Sequence, residues 1–368
     1  MKYKKNMLRS LSYLIALFMI AALAACSSND ANGSQSAGDE AATADASEEG
    51  AALADGGEPF TLRVITQPIF NEIIVADELG FFAEEGIEIE YVGAIPSGVT
   101  EFQLLEQGEI DSFVSVHPPQ VGQARVAGIK AVSVAPGSID TRVYPHIHYL
   151  VREDSDIQSL DDLIGKKIGI SNLAACTNGF VDIYLQSRFP DYTPDQVEYI
   201  PLGANTEQSL VQGLIDISTA HNPSAGITLA AGGVREIASS ADILRQENFS
   251  LAARGFLESF IEEHPDVVQG YVNAMYRARL WINDHLEDAI RLNADVLGLA
   301  SENVSPAIYE QAKNNIPADI ERWVDFGESV GNWQAGEIEA EELYTLEFVP
   351  DDAPASDKDI RWEGINGE

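Results

Sequence analysis

The sequence predicts an α/β protein with parallel strand pairing, arranged as two lobes, and three observations support this. From Phe60 onward, strand-like apolar runs alternate with stretches of helical spacing. No internal repeat and no long linker interrupts that alternation. The strand-turn-helix units fall into two clusters, before and after about residue 150, followed by a helical last third that is expected to return to the first lobe. With 368 residues and 45% hydrophobic content, the chain can bury one large core or two medium ones.

Leu62-Arg63-Val64-Ile65-Thr66 reads as the first strand. The helix after it runs through Ile73, Ile74, Ala76 and Leu79 and stops at Gly80, a residue suited to a left-handed cap. Ile87, Ile89 and Tyr91 alternate with Glu88 and Glu90, the pattern of a half-buried strand. Ser97-Gly98 opens the next helix, whose apolar face is Val99, Phe102 and Leu105 and whose end is Gly108. Ile110 to Val116 and Ile129 to Ala135 read as buried strands, and His146 to Val151 leads toward the second lobe. There, Lys167-Ile168-Gly169-Ile170 is a short strand after the turn residue Gly165, and a helix spans about 178–187. Beyond Pro190 and Pro194 comes a strand at Val197–Ile200. Asn205 with Gln208 has the form of a capping box ahead of Leu210, Val211 and Leu214, and Asp216 to Ala220 is the final short strand. Pro265 sits where a helix has no N–H to lose, and Val267, Tyr271, Ala274, Met275, Ala278 and Ile282 recur at helical spacing toward His285.

Lys2, Lys4, Lys5 and Arg9 precede an apolar run from Leu11 to Ala25, as in a secretory signal, and that run is too short for a spanning helix. It ends in Leu23-Ala24-Ala25-Cys26, which resembles the lipobox of bacterial lipoproteins. On that reading residues 1–25 are a lipoprotein signal peptide and Cys26 carries the lipid; the alternative is an ordinary signal with an incidental cysteine. Residues 27–58 hold eight acidic and no basic side chains among Ala, Ser, Gly and Asn, a composition expected of a disordered tether. Only Cys176 would then remain as a free thiol, so no internal disulfide is expected despite export. The net charge of -37 repels phosphate backbones and excludes nucleic-acid binding. Most of it belongs to the folded part, which suggests an external medium of high salt or high pH.

Four stretches, in order over roughly residues 60–300, resemble a family. Ala76-Asp77-Glu78-Leu79-Gly80-Phe81-Phe82-Ala83-Glu84-Glu85-Gly86-Ile87-Glu88-Ile89 is similar to its early A-x-x-x-G-F-F-x-x-x-G-I signature, and Gln107-Gly108-Glu109-Ile110-Asp111 to its x-G-x-I/V-D. Leu160-Asp161-Asp162-Leu163-Ile164-Gly165-Lys166-Lys167-Ile168-Gly169 is similar to S-L-x-D-L-x-G-K-K-I-G, and His264-Pro265 to its His-Pro before a long helix. The family is that of the solute-binding proteins of ABC importers, in the branch for aliphatic sulfonates, taurine, nitrate and thiamine-precursor pyrimidines. The resemblance implies a two-lobe periplasmic-binding-protein type II fold, each lobe a mixed sheet flanked by helices, with the ligand cleft between them. Lobe 1 would comprise 59–148 plus 251–350 and lobe 2 would comprise 149–250, with 351–368 as a tail.

The resemblance also places ligand against the loops after the strands. The matching positions are Gln67 and Pro68, Ser97 and Gly98, Ser115 and His117, then Ser171, Asn172, Thr177 and Asn178, then Asn205, and finally His221 and Asn222. Helix N-termini there offer free N–H groups and partial positive charge to an oxyanion, although Ser97 and Asn205 also read as ordinary caps. His117 before Pro118-Pro119 and His221 before Asn222-Pro223 sit in counterpart loops and either grip an anion or bond their own loops. No Arg or Lys lies in these loops, so an anion would rely on neutral donors, or the ligand is neutral. His146 and His148 share a strand face, a spacing compatible with a metal pair, but no further ligand is evident and the reading favours a structural role without metal. Cys176 near a helix start would have a lowered thiol pKa, with no histidine at a recognisable catalytic spacing.

Three functions compete. Capture of a small organic solute, foremost a sulfonate or taurine-like anion, implies no cofactor, no bond broken and a monomer. Its partners would be an ABC permease and its ATPase, and it would sit lipid-anchored on the outer side of the cell membrane. A thiamine-precursor pyrimidine, riboflavin or nitrate remains open as the solute, because the Asn172–Asn178 loop is longer and less Gly/Ser-rich than in typical sulfonate binders. Related pyrimidine synthases are cytosolic and carry a Cys-rich motif absent here, which argues against an enzyme; a sensory or scaffold lipoprotein is the third reading.

Overall fold

The computed structural model describes residues 58–350 except 68, 96–99, 141–144, 172–175, 245–248, 305, 308 and 310–316. The expected signal peptide, Cys26, nearly all of the tether and the tail lie outside the described residues. No helix among the described residues is long and apolar enough to cross a membrane.

Strand β1 (Phe60–Val64) pairs in parallel with β2 (Ile87–Tyr91), in register from Phe60 opposite Ile87 to Val64 opposite Tyr91. Ile87 and Ile89 are buried and Glu88 and Glu90 exposed, as period-two alternation requires. Between them lie α1 (Glu72–Glu78), capped by the Asn71 side chain accepting from Ile74 N at 3.0 Å, and the short α2 (Phe81–Glu84) after Gly80 at φ 81. Helix α3 (Glu101–Glu106) begins later than the sequence reading placed it. Thr100 is its cap, in a reciprocal box with Gln103, while Ser97-Gly98 lies outside the described residues. Strand β3 (Phe113–Val116), helix α4 (Pro118–Val126) and strand β4 (Ala131–Pro136) follow.

The chain then crosses over through β5 (Ile139–Asp140) into the second half, built on a five-stranded sheet. Its elements are β6 (His148–Arg152), β7 (Lys167–Ile170), α5 (Cys176–Arg188), β8 (Glu198–Pro201), α6 (Thr206–Val211), β9 (Ile217–Ala220), α7 (Ser224–Ala231), β10 (Val234–Ser239) and α8 (Ser240–Leu244). The order across the sheet is β10-β6-β9-β7-β8, with β7 parallel to β8 and β9, and β6 antiparallel to β9 and β10. Ile217–Ala220 is therefore not the final strand. The chain returns through β11 (Phe249–Ser250), antiparallel to β5, into β12 (Ala253–Leu257), which inserts antiparallel between β3 and β4. The expected Asn205 capping box is also absent: a 3-10 turn over Gly203–Asn205 feeds straight into α6, and the Asn205 side chain makes no cap.

Helices α9 (Glu258–Glu263), α10 (Pro265–Asp284) and α11 (Leu286–Leu297) belong to the first half, whose strands form the separate sheets β1-β2 and β3-β12-β4, and the buried stripe Val268, Tyr271, Met275 and Ile282 of α10 joins its core. The His264 ring packs 5.0 Å from Phe60 and 4.9 Å from Phe260, so the His-Pro motif ties α10 to β1. Two large cores result, one around Phe82, Phe113, Phe256 and Tyr271 and one around Tyr149, Ile168, Phe180 and Leu185. Each such side chain contributes roughly 1.5–3 kcal/mol on burial. Helix α12 (Pro317–Ser329) joins both: Trp323 and Phe326 enter the second core, and Val324 enters the first. Gly179 permits this, since a Cβ there would stand 2.7 Å from the Phe326 ring.

The two halves repeat one wiring pattern. In the first, Gly108 (φ 65) ends α3, Asp111 N donates to Arg63 O at 2.9 Å, and the Asp111 carboxylate accepts from Arg63 N at 2.8 Å. In the second, Gly213 (φ 72) ends α6, Asp216 N donates to Lys167 O at 2.9 Å, and its carboxylate accepts from Lys167 N at 2.8 Å. Each Gly-x-Ile-Asp supplies the left-handed residue that closes the helix and the carboxylate that fixes the neighbouring strand. In both halves the strand that follows ends in a histidine, His117 after β3 and His221 after β9.

Candidate functional site

The carboxyl ends of β3 and β9 open on a cleft of about 380 Å³. Its lining combines polar groups, His117, His146, Ser171, Cys176, His221, Asn222 and Arg254, with apolar ones, Phe70, Leu297, Leu299, Val304 and Ala307. Among the described residues no Asp or Glu lines it, although the chain carries 59.

His117 caps α4, its backbone N–H donating to Gln120 Oε1 at 2.8 Å and its Nδ1 donating to the Leu251 carbonyl. The His146 ring lies 5.3 Å from that of His117 and 4.7 Å from that of His221, both edge-on. Cys176, first residue of α5 and buried, has its Sγ 3.5 Å from His221 Nε2. Desolvation pushes His117 and His221 down to about 4 and His146 well below its ordinary value. The mutual repulsion of the rings adds to this for His146 and His221, and Arg254 adds to it for His117. At neutral pH the three rings are uncharged, each with one donor and one acceptor nitrogen.

The positive charge at the cleft comes from Arg254 on β12. Its Nε lies 3.3 Å from Glu72 Oε1, and its Nη1 donates to the Ala253 carbonyl at 3.2 Å. Arg279 reaches the same Glu72 oxygen at 3.4 Å and also donates to the Pro136 carbonyl. Glu72 is wholly buried; burial opposes its ionisation, but the two guanidiniums outweigh it and hold the carboxyl below its usual range. Burial lowers Arg279; for Arg254 desolvation is the largest influence, but Glu72 with the smaller contributions of Tyr309, Tyr271 and Glu101 outweighs it and holds the group protonated. Two guanidiniums thus share one contacting carboxylate, with Glu101 acting on Arg254 more weakly.

Of the positions expected from the sequence, the structure brings His117, Ser171, His221 and Asn222 to the cleft. Asn222 also donates from Nδ2 to His148 Nε2 at 2.8 Å, while His148 Nδ1 contacts Glu236 at 3.0 Å. His146 and His148 therefore do not act as a pair, because His146 precedes β6 and turns into the cleft while His148 faces Glu236. Gln67 is half-buried outside the cleft lining, and Asn205 is exposed. Thr177 is fully buried on α5, and Asn178 donates to Asp182 at 3.4 Å, beside the Tyr192 and Tyr199 hydroxyls that bond the same carboxylate. Pro68, Ser97, Gly98 and Asn172 lie outside the described residues, as does the side chain of Ser115. Sequence reasoning missed the roles of Arg254 and His146 in the cleft and the Cys176–His221 contact. Arg254 alone carried a signal: a lone cation in the apolar run Leu251–Leu257.

Paired α/β halves, two crossovers and a cleft at the strand ends define a protein of the periplasmic-binding-protein fold. The crystal structure of the periplasmic aliphatic sulphonate binding protein SsuA from Escherichia coli matches with a TM-score of 0.57 at 20% identity, covering 76% of this chain and 94% of that one. A family model, NMT1/THI5 like, matches residues 67–289, and the chain belongs to that family. A Bacillus subtilis (strain 168) protein named for binding aliphatic sulfonates is 24% identical over 247 residues, 65% of this chain and 70% of the relative. The 2'-hydroxybiphenyl-2-sulfinate desulfinase of Rhodococcus erythropolis is 24% identical over 290 residues, 74% of this chain and 72% of the enzyme.

Proposed function

We propose that the chain captures a small organic anion, foremost a sulfonate, in the cleft and passes it unchanged to the permease of an ABC importer. The observation that carries this is the buried Arg254 guanidinium in a cleft it shares with apolar side chains and that, among the described residues, no carboxylate lines. Such a site suits an anionic head on an organic tail, whereas nitrate has no tail for Phe70, Leu297 and Leu299 to bury. Nη2 of Arg254 is the donor we assign to the head group, with His221, Asn222 and Ser171 adding neutral hydrogen bonds. We assign residues 59–148 with 251–350 to one lobe and 149–250 to the other. Cys26 is assigned as the lipidated residue that holds this monomer outside the membrane through the 27–58 tether.

A panel of sulfonates, taurine, nitrate, thiamine pyrimidines and riboflavin, read by thermal shift, tests this. A solute at 100 times its Kd stabilises by roughly 2.7 kcal/mol. Sulfonates are expected to raise the melting temperature of the native chain, and Arg254→Met to weaken them about tenfold to a hundredfold, the worth of one charge-assisted hydrogen bond. A response confined to neutral pyrimidines or riboflavin overturns the anion reading. The Cys176–His221 contact favours a second reading, an enzyme acting on a sulfinate or similar substrate. Recovery of the bound solute chemically intact decides against it, and turnover decides for it.

A further inference from the structure

We propose that His117, His146, Cys176 and His221 form a site for a transition-metal ion of the zinc class, a site distinct in chemistry from the anion-binding guanidinium. One donor atom from each of His117, His146 and Cys176 lies within 4.8 Å of the others, and His221 Nε2 is 3.5 Å from the Cys176 sulfur. Around a tetrahedral zinc, with Zn–S about 2.3 Å and Zn–N about 2.0–2.1 Å, a sulfur and a nitrogen ligand stand about 3.5 Å apart. The Cys176–His221 pair already has that separation. The other donors are wider than a closed shell, and small ring rotations would bring them in.

The protonation pattern fits ligation. The Leu251 carbonyl holds the proton of His117 on Nδ1, which leaves Nε2 with its lone pair exposed; a metal-bound histidine is oriented by the same kind of carbonyl bond on its other nitrogen. The donor set decides the class of ion. Three imidazoles and a thiol favour zinc, cobalt or copper over magnesium or calcium, which take oxygen ligands, and among the described residues no carboxylate lines this cleft. Hard cations would instead collect on the acidic surface, so chemical selectivity separates the site from the background of a chain with net charge -37. The proposal and the anion reading share His221 and are told apart because metal binding is read by a spectrum and the solute by a shift in the metal-free protein.

The test strips the full chain with a chelator and titrates Co²⁺ in the presence of excess Mg²⁺. The expected result is one Co²⁺ per chain, with the intense visible bands of a tetrahedral ion and a near-ultraviolet thiolate-to-cobalt band, both erased by Zn²⁺. Cys176→Ser should lose the ultraviolet band, and His117→Gln and His146→Gln should each weaken binding at least tenfold, with circular dichroism reporting the fold of each variant. In the wild-type chain, Zn²⁺ but not Mg²⁺ should slow alkylation of Cys176, read on its own peptide by mass spectrometry, which tests the site even if a variant misfolds. Absence of tetrahedral bands at micromolar Co²⁺, equal binding by wild type and variants, or alkylation of Cys176 indifferent to Zn²⁺ overturns the proposal.

Discussion

Acidifying the chelator-treated protein from pH 8 to pH 5 should destabilise it through the histidine cluster. The folded-state values of His117 and His221 stand near 4, against an ordinary value of 6.5. Below pH 6.5 the unfolded chain therefore takes up protons that the folded chain refuses, and stability falls until pH passes below about 4. At pH 5 the loss is about 2 kcal/mol for each ring, so about 4 kcal/mol for the pair. Both rings are half-buried, and partial contact with water makes this an upper figure. His146 acts in the same direction. Asp182 and Glu85, raised by burial, act in the opposite direction. Arg254 faces His117 as a fixed positive charge, and His148 neighbours His221. Asp161 at the surface, held below its ordinary value by Tyr184 and Arg188, also loses stabilisation on acidification, so the ring contribution is read as the difference between wild type and variant. The assay is the urea midpoint at half-unit pH steps for wild type and His221→Gln. The variant should lose about 2 kcal/mol of the pH dependence between pH 8 and 5. Parallel wild-type and variant profiles over that range would refute the assignment of the slope to these rings.

Two further outcomes follow from packing. Gly255→Ala should destabilise by about 3 kcal/mol or more in urea unfolding, because the new Cβ would stand 1.9 Å from the Val132 carbonyl oxygen and 2.6 Å from Phe113 Cζ, in the strand that carries Arg254. Glu72→Gln should cost about 3–5 kcal/mol, since it leaves Arg254 and Arg279 buried without their shared countercharge; a melting temperature within a degree of wild type would show that the guanidiniums do not depend on it.

Elements with strong periodicity were legible in the sequence. Strand β2 and helix α10 lie where alternation and helical spacing put them, because each has one wet and one dry face. Strand β12 was invisible for the opposite reason: it is covered on both faces between β3 and β4, and Ala253-Arg254-Gly255-Phe256 has no alternation to read. The true start of α3 was present as Thr100-Glu101-Phe102-Gln103, a capping box, while the weaker Ser97-Gly98 signal drew the boundary upstream. At Asn205 the same kind of signal misled, since the preceding 3-10 turn takes up the backbone that a side-chain cap would serve. The histidines that end β3 and β9 could be named from their loops. Their convergence with His146, Cys176 and Arg254 could not, because it is made by two crossovers that no local pattern encodes.

The duplicated Gly-x-Ile-Asp wiring makes the grip on a solute divisible. Asp111 and Asp216 each secure the strand in their own half by the same pair of backbone hydrogen bonds, and neither shares a partner with the other. A substitution that loosens one half therefore leaves the other half's histidine presented as before. A chain built this way can adapt one wall to a different head group while the opposite wall keeps its shape. Specificity can then drift in single steps without an intermediate that has lost the cleft.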